Sequence, residues 1–172
     1  MKYAPNHPDP IVRRNTYREL FKTDSSNELT EAALTDDSFF VRMEGLKQGN
    51  VTAWQYARAF NDDDEKVKLM ALPHHTPTQQ QIKTLLSDRS YNVRNAAVEM
   101  CALTTEQLDA AYADPETRSA AIKTGKLSQQ QINKAMSDDS WHTREAAADA
   151  GGKKSLGWAV KHIVYRIRCG LF

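Results

Sequence analysis

The segment Asp88-Arg89-Ser90-Tyr91-Asn92-Val93-Arg94-Asn95-Ala96-Ala97-Val98 sets an aspartate six residues ahead of an arginine. Val93 stands just before that arginine, Ala97 four residues after the valine, and Val98 next. The same pattern recurs along the chain. Asp36, Asp62, Asp88, Asp114 and Asp138 are spaced 26, 26, 26 and 24 residues apart. Arg42, Lys68, Arg94 and Arg144 follow their aspartates by six residues; after Asp114 two residues are missing and Arg118 takes the place. The position before the cation reads Val41, Val67, Val93, Thr117, Thr143, and four residues beyond it come Gly45, Ala71, Ala97, Ala121, Ala147. Leu46, Leu72, Val98, Ile122 and Ala148 complete the series. Spacings of four and five lay these side chains on one stripe of a helix, and the small residues admit a close neighbour.

A second ladder keeps the same period. Ser26, Thr52, Thr78, Thr104 and Ser128 share the four spacings, including the slip to 24. Gln55, Gln81, Gln107 and Gln131 stand three residues after the last four. That is a capping box, in which the hydroxyl accepts from a first-turn amide and the glutamine reaches back to the cap residue. Apolar positions follow at four, seven and eight residues: Tyr56/Ala59/Phe60, Ile82/Leu85/Leu86, Leu108/Ala111/Tyr112 and Ile132/Ala135/Met136. Each such one-sided helix must bury its face against a neighbour.

Two short helices per period predict an all-α, right-handed α-solenoid of about six repeats. The expected units are residues 6–35, 36–61, 62–87, 88–113, 114–137 and 138–152, forming a single domain over 1–172. The ends are degenerate, as terminal repeats should be. Residues 153–172 read as a capping helix and basic tail, with Ser155 as cap and Leu156, Ala159, Val160, Ile163, Val164 and Ile167 on one stripe.

The Asp-x5-Arg pattern, with Val before the arginine and Ala beyond, resembles the HEAT-repeat signature. HEAT units run to roughly 40 residues, so the short period is closer to the leucine-rich repeat variant. His7-Pro8-Asp9-Pro10-Ile11-Val12-Arg13 and Thr76-Pro77-Thr78 are similar to motifs of that family. The resemblance covers roughly residues 6–150. It implies hydrogen-bonded Asp/Arg ladders between adjacent repeats and a scaffold whose surfaces vary from member to member. One relative carries an iron–sulfur cluster on a separate cysteine-rich segment. This chain has only Cys101 and Cys169, so no cofactor is expected.

Composition narrows the function classes. Of the 172 residues, 40% are hydrophobic and 26% charged, ordinary values for a folded chain. The net charge of +1 supplies no global field for nucleic acid or membrane. It is unevenly spread. All 22 acidic residues lie in 1–149, which is −4, while the last 23 residues hold five cations and no acid. No stretch approaches the roughly 20 apolar residues of a membrane span, and Met1-Lys2-Tyr3-Ala4-Pro5-Asn6 lacks the apolar run of a signal peptide. With two distant cysteines forming no disulfide framework, a cytoplasmic protein is expected.

No phosphate loop, nucleophile elbow, zinc helix or Rossmann fingerprint is present, so no enzyme is expected. His74 and His75 have no companion ligands at useful spacing, and Asp62-Asp63-Asp64-Glu65 lacks the glycine and closing glutamate of a calcium loop. The aspartate and arginine ladders recur in every unit, which marks them as structural. The candidates for function are residues that depart from the repeat. Trp54 stands two residues past its cap, where the other units hold Gln80, Glu106 and Gln130. A tryptophan in a polar position is a candidate binding anchor; it could equally pack on the irregular first repeat. Phe39, Tyr91 and Trp141 all sit three residues before the cation and could either anchor a partner or pack under the adjacent turn. Arg58, Lys83, Asp109 and Lys134 face outward on second helices, and their mixed signs argue against a phosphate track.

The expected function is a non-catalytic protein–protein interaction module, an adaptor or inhibitor, acting as a monomer. Its contacts would be Trp54, Phe39, Tyr91, Trp141 and Arg58. The size and style of the chain suit a phage or mobile-element protein acting on a host factor. The alternative is a nucleic-acid binder using Lys153, Lys154, Lys161, Arg166 and Arg168, since HEAT-like DNA-repair glycosylases cradle DNA.

Overall fold

The computed structural model describes residues 5–152. Among them are eleven α-helices and no strand. The chain divides into two compact units, Met1–Leu85 and Leu86–Phe172. The first holds α1 (Pro10–Leu20), α2 (Asn27–Leu34), α3 (Phe39–Gln48), α4 (Ala53–Ala59), α5 (Glu65–Ala71) and nearly all of α6 (Gln79–Leu86). The second holds α7 (Tyr91–Met100), α8 (Thr105–Ala113), α9 (Arg118–Lys123), α10 (Gln129–Ala135) and α11 (Trp141–Asp149). No described helix is long and apolar enough to cross a membrane.

Each recurring aspartate builds the turn that starts a first helix. Its Oδ1 accepts the backbone N–H two residues on: Ser38 to Asp36, Asp64 to Asp62, Ser90 to Asp88 and Ser140 to Asp138, all at 2.8 Å, and Glu116 to Asp114 at 3.0 Å. His7 stands at the same distance before Arg13 as the aspartates before their cations, and its Nδ1 accepts from the Asp9 amide at 3.0 Å. The degenerate first unit therefore keeps the turn with a different acceptor.

The arginine then locks the turn it follows. Arg42 Nη1 donates to the carbonyls of Asp36 and Asp37, both at 2.9 Å, and Arg144 Nη1 to those of Asp138 and Asp139. The rest of the guanidinium fork reaches the aspartate of the next unit. Arg13 grips Asp36 through two bonds of 2.8 and 2.7 Å, and Arg42 grips Asp62 through two of 2.7 Å. Arg118 donates to Asp138 through Nη1, while its Nε and Nη2 hold the Tyr112 and Ala113 carbonyls. Five fixed N–H donors suit arginine to both tasks at once. Burial alone would push the Asp36 carboxyl up. The Arg13 bonds and the Ser38 amide outweigh it, and its pKa lies below the ordinary value.

One joint departs from the ladder. Arg94 would be expected to reach Asp114, but it donates to Glu116 instead. Two residues are missing from this unit, and Asp114 serves its own turn, accepting from the Glu116 amide and the Thr117 hydroxyl.

The predicted stripes are the core. Val41, Val67, Val93, Thr117 and Thr143 are buried, as are Gly45, Ala71, Ala97, Ala121 and Ala147. In the first unit α3 packs on α1, α2 and α5. The α2–α3 approach is close enough that a Cβ at Gly45 would meet Ala33 Cβ at 3.0 Å, which accounts for glycine where the other units carry alanine. In the second unit α9 packs on α7, α8 and α11. Its core joins Val98, Leu108, Ile122, Leu127, Ile132 and Met136.

Gly125 and Gly151 carry φ of +69° and +84°, and both end first helices. A left-handed residue there returns its N–H to the last turn, and glycine adopts it without a Cβ clash.

Candidate interaction surface on the second helices

The capping boxes form as the spacing predicts. Thr52, Thr104 and Ser128 accept from the Gln55, Gln107 and Gln131 amides while each glutamine accepts from its cap residue. Thr78 and Gln81 make the same two bonds, of 3.3 and 2.8 Å.

The glutamine does more than cap. Its amide nitrogen remains free to donate, and it points to the preceding second helix. Gln55 Nε2 donates to Glu31 Oε2 at 2.9 Å and Asn27 Oδ1 at 3.2 Å. Gln81 Nε2 donates to the Ala57 carbonyl and Gln131 Nε2 to Asp109 Oδ1, both at 3.1 Å. Glu31, Ala57 and Asp109 each lie five residues past their own cap. A second set of bonds, running opposite in sense to the arginine ladder, therefore ties α4 to α2, α6 to α4 and α10 to α8. The acceptors are side chains at Glu31 and Asp109 but the backbone carbonyl at Ala57, so residue type marks only two of the three positions.

These bonds position the most conspicuous exposed side chain. Trp54 is 64% exposed at the start of α4, so it does not pack away on the first repeat. The Arg58 guanidinium lies 4.8 Å from the centre of its ring. Arg58 in turn pairs with Glu31, the acceptor of Gln55. Indole, guanidinium and carboxylate form a braced row on α4 and α2. The bonds from Arg58 and then from Gln55 hold the Glu31 carboxyl below its ordinary pKa. Stacking restricts the indole before any partner arrives, which lowers the entropic cost of using it as an anchor.

The other aromatic candidates divide. Phe39, Tyr91 and Trp141 are each the first residue of a first helix. Tyr91 is 59% exposed. Phe39 is half-buried, with Lys66 Nζ 4.9 Å above its ring and Phe40 at 4.0 Å. Trp141 is half-buried and lies 3.7 Å from the His142 ring. Only Tyr91 presents most of its ring to solvent.

His74 and His75 stack on Tyr56 and Phe60 in the α5–α6 turn. Asp64 caps α5, and Glu65 opens its first turn. No group of three His, Cys, Asp or Glu side chains among the described residues is placed to hold a metal ion. Cys101 is a buried thiol whose pKa is pushed up by burial, away from the thiolate a nucleophile needs. Lys153, Lys154, Lys161, Arg166 and Arg168, with the closing helix expected around them, lie outside the described residues. No protein-family model matches the sequence, and no curated protein matches it significantly.

Proposed function

We propose that the chain is a non-catalytic protein-binding module, an adaptor or inhibitor, and that it docks its partner on Trp54. The observation that carries this reading is the braced, 64% exposed indole at a position where the other second helices hold polar residues. Large aromatic and arginine side chains supply most of the energy of protein interfaces. Here the two stand together, with the arginine charge already balanced by Glu31. A neutral, apolar-faced anchor selects an apolar pocket on a protein rather than a phosphate.

Two further features support a scaffold. The Arg-to-Asp bonds on first helices and the Gln bonds on second helices repeat with the sequence period. Such repetition is what a right-handed α-solenoid of about six short HEAT-like repeats requires. The polar residues that recur are also committed to these bonds, which leaves the non-recurring ones to choose a partner. Tyr91 is the second contact in this reading, while Phe39 and Trp141 contribute their uncovered edges.

The test is affinity capture by the immobilised full chain from lysate of the native host, half of it nuclease-treated, with elution in a salt gradient. A protein that survives nuclease and resists salt is the expected result. Nucleic acid released at modest salt, with no protein retained, would favour the basic C-terminal segment as the binding element.

A further inference from the structure

We propose that the outward face of α1, α3 and α5 receives an acidic amphipathic helix of a partner protein. On a first helix, the residues four, seven, eight and eleven places after the turn residue lie opposite the buried stripe. In the first compact unit α3 packs on both α1 and α5, and two contacts crossing the face show these residues side by side. Arg18 of α1 grips Glu44 of α3 through two bonds of 2.9 and 2.7 Å. Lys66 Nζ of α5 lies 4.9 Å from the centre of the Phe39 ring, which stands 4.0 Å from that of Phe40. The surface between is apolar: Ile11 and Phe40 are 39% and 36% exposed, and Met43, Leu69 and Met70 are half-buried.

The charge on this face has one sign. Arg14, Lys47 and Lys66 stand at the same outward positions, and none of them meets a carboxylate among the described residues. Arg14 donates to the Asn15 side-chain oxygen, and Lys66 lies on the Phe39 ring. The one carboxylate at these positions, Glu44, is 4% exposed and already held by Arg18. Residues 1–4 and 153–172 contain no aspartate or glutamate, so no further carboxylate comes from there. The same positions in the second unit are filled differently. α7 has Asn92, Asn95, Ala96 and Glu99, and α11 has His142, Glu145, Ala146 and Asp149. The repeat is therefore built without large apolar side chains at its outward places, and those on α1, α3 and α5 are not demanded by it.

An apolar floor bordered by cations defines its occupant by complementarity: a helix with an apolar stripe flanked by aspartates or glutamates. Methionine side chains adapt to such a stripe. Nucleic acid fits less well, because apolar side chains interrupt the cations and Arg18 is already neutralised. So does a lipid surface, because Met43, Leu69 and Met70 lie partly covered within the face and do not stand out for insertion. The occupant is a protein segment, and to that extent the inference rests on the protein-binding reading. The face belongs to first helices, whereas Trp54 stands on the second helix α4.

The experiment is an NMR titration of the full chain with a short capped peptide of Glu, Leu and Ala, its leucines at i, i+3, i+4 and i+7. Beside it run a peptide of the same residues in shuffled order and one with Lys in place of Glu; parallel binding assays use duplex DNA and phosphatidylserine vesicles. The patterned acidic peptide is expected to saturate, to shift α1, α3 and α5 amides, and to bind more weakly as salt rises. Lys47→Glu/Lys66→Glu should bind it at least about tenfold more weakly, with a melting curve close to that of wild type. Phe40→Asn, which gives α3 the residue of α7, should weaken it as well. Either variant binding as tightly as wild type, equal binding of the shuffled or lysine peptide, shifts confined to other helices, or DNA or vesicles bound in place of the peptide would overturn the proposal. Trp54→Gln should leave the peptide titration unchanged. Peptide binding without partner capture therefore counts against the Trp54 reading alone, and capture that Trp54→Gln abolishes, without peptide binding, against this face alone.

Discussion

Helices α4 and α10 are built on the same plan and finished differently. Both open with a capping box, and both use the capping glutamine to reach the second helix before. Both bury the residues four, seven and eight positions past the cap wholly or in part. They part at two outward positions. Two residues past the cap, α4 has the exposed Trp54 and α10 has Gln130; six past it, Arg58 stands against Lys134. Whatever the fold requires is present in both, so what α4 alone carries is free to serve something else. The difference also reaches inward. Gln55 is 2% exposed and holds Asn27 and Glu31, whereas Gln131 is only half-buried and holds Asp109.

The shared framework should be the costliest to break. Arg42→Ala removes the two-bonded grip on Asp62 and two carbonyl bonds, leaving a largely covered carboxylate. A loss of about 2–4 kcal/mol is expected in urea unfolding; a change below about 0.5 kcal/mol, the range of ordinary surface substitutions, would remove the ladder from the account. The next effect separates the two helices. Gln55→Leu should cost about 2 kcal/mol and Gln131→Leu about 1 kcal/mol, because the buried Gln55 bonds two side chains, Asn27 and Glu31, where the half-buried Gln131 bonds Asp109. Equal losses would erase the inward half of the contrast. Capping should not distinguish them at all: Thr52→Ala and Ser128→Ala should each cost about 1 kcal/mol, and a clear inequality would mean the two boxes are not equivalent.

A smaller effect concerns acid. The folded chain holds the Glu31 carboxyl below its ordinary 4.5 through Arg58 and Gln55. A depressed value means that ionised Glu31 contributes stability above the unfolded pKa, and that this is lost as pH falls through the folded one. The melting temperature of wild type should therefore fall more steeply than that of Glu31→Gln below about pH 4.5. Parallel curves would show that Glu31 is not held by its neighbours. The group is about one-third exposed, so the difference should be modest.

Much of the architecture was legible because it is local chemistry. A hydroxyl three residues before a glutamine, and an aspartate six before an arginine, close their bonds within a turn or two, and their spacing fixes them. The second partner of each group was harder to see. Arg94 reaches Glu116 rather than Asp114 in the unit that is two residues short, where Asp114 also accepts from the Thr117 hydroxyl. The spare amide of Gln55 finds Glu31 only once α2 and α4 lie side by side. The place of Trp54 off the apolar stripe was legible, but exposure and packing on the first repeat were equally compatible with it, and the structure shows the exposed state. The partial covering of Phe39 by Lys66 and of Trp141 by His142 was not legible either, because it depends on side-chain direction rather than position.

The central claim is that Trp54 serves a partner and not the fold. Trp54→Gln gives α4 the residue that α10 carries at the same place. Its binding to the captured partner should be measured by titration calorimetry beside its thermal melt. The account predicts a melt within about 0.5 kcal/mol of wild type and a loss of binding of about 2 kcal/mol or more. Undiminished affinity, or a collapse of stability of similar size, would contradict it.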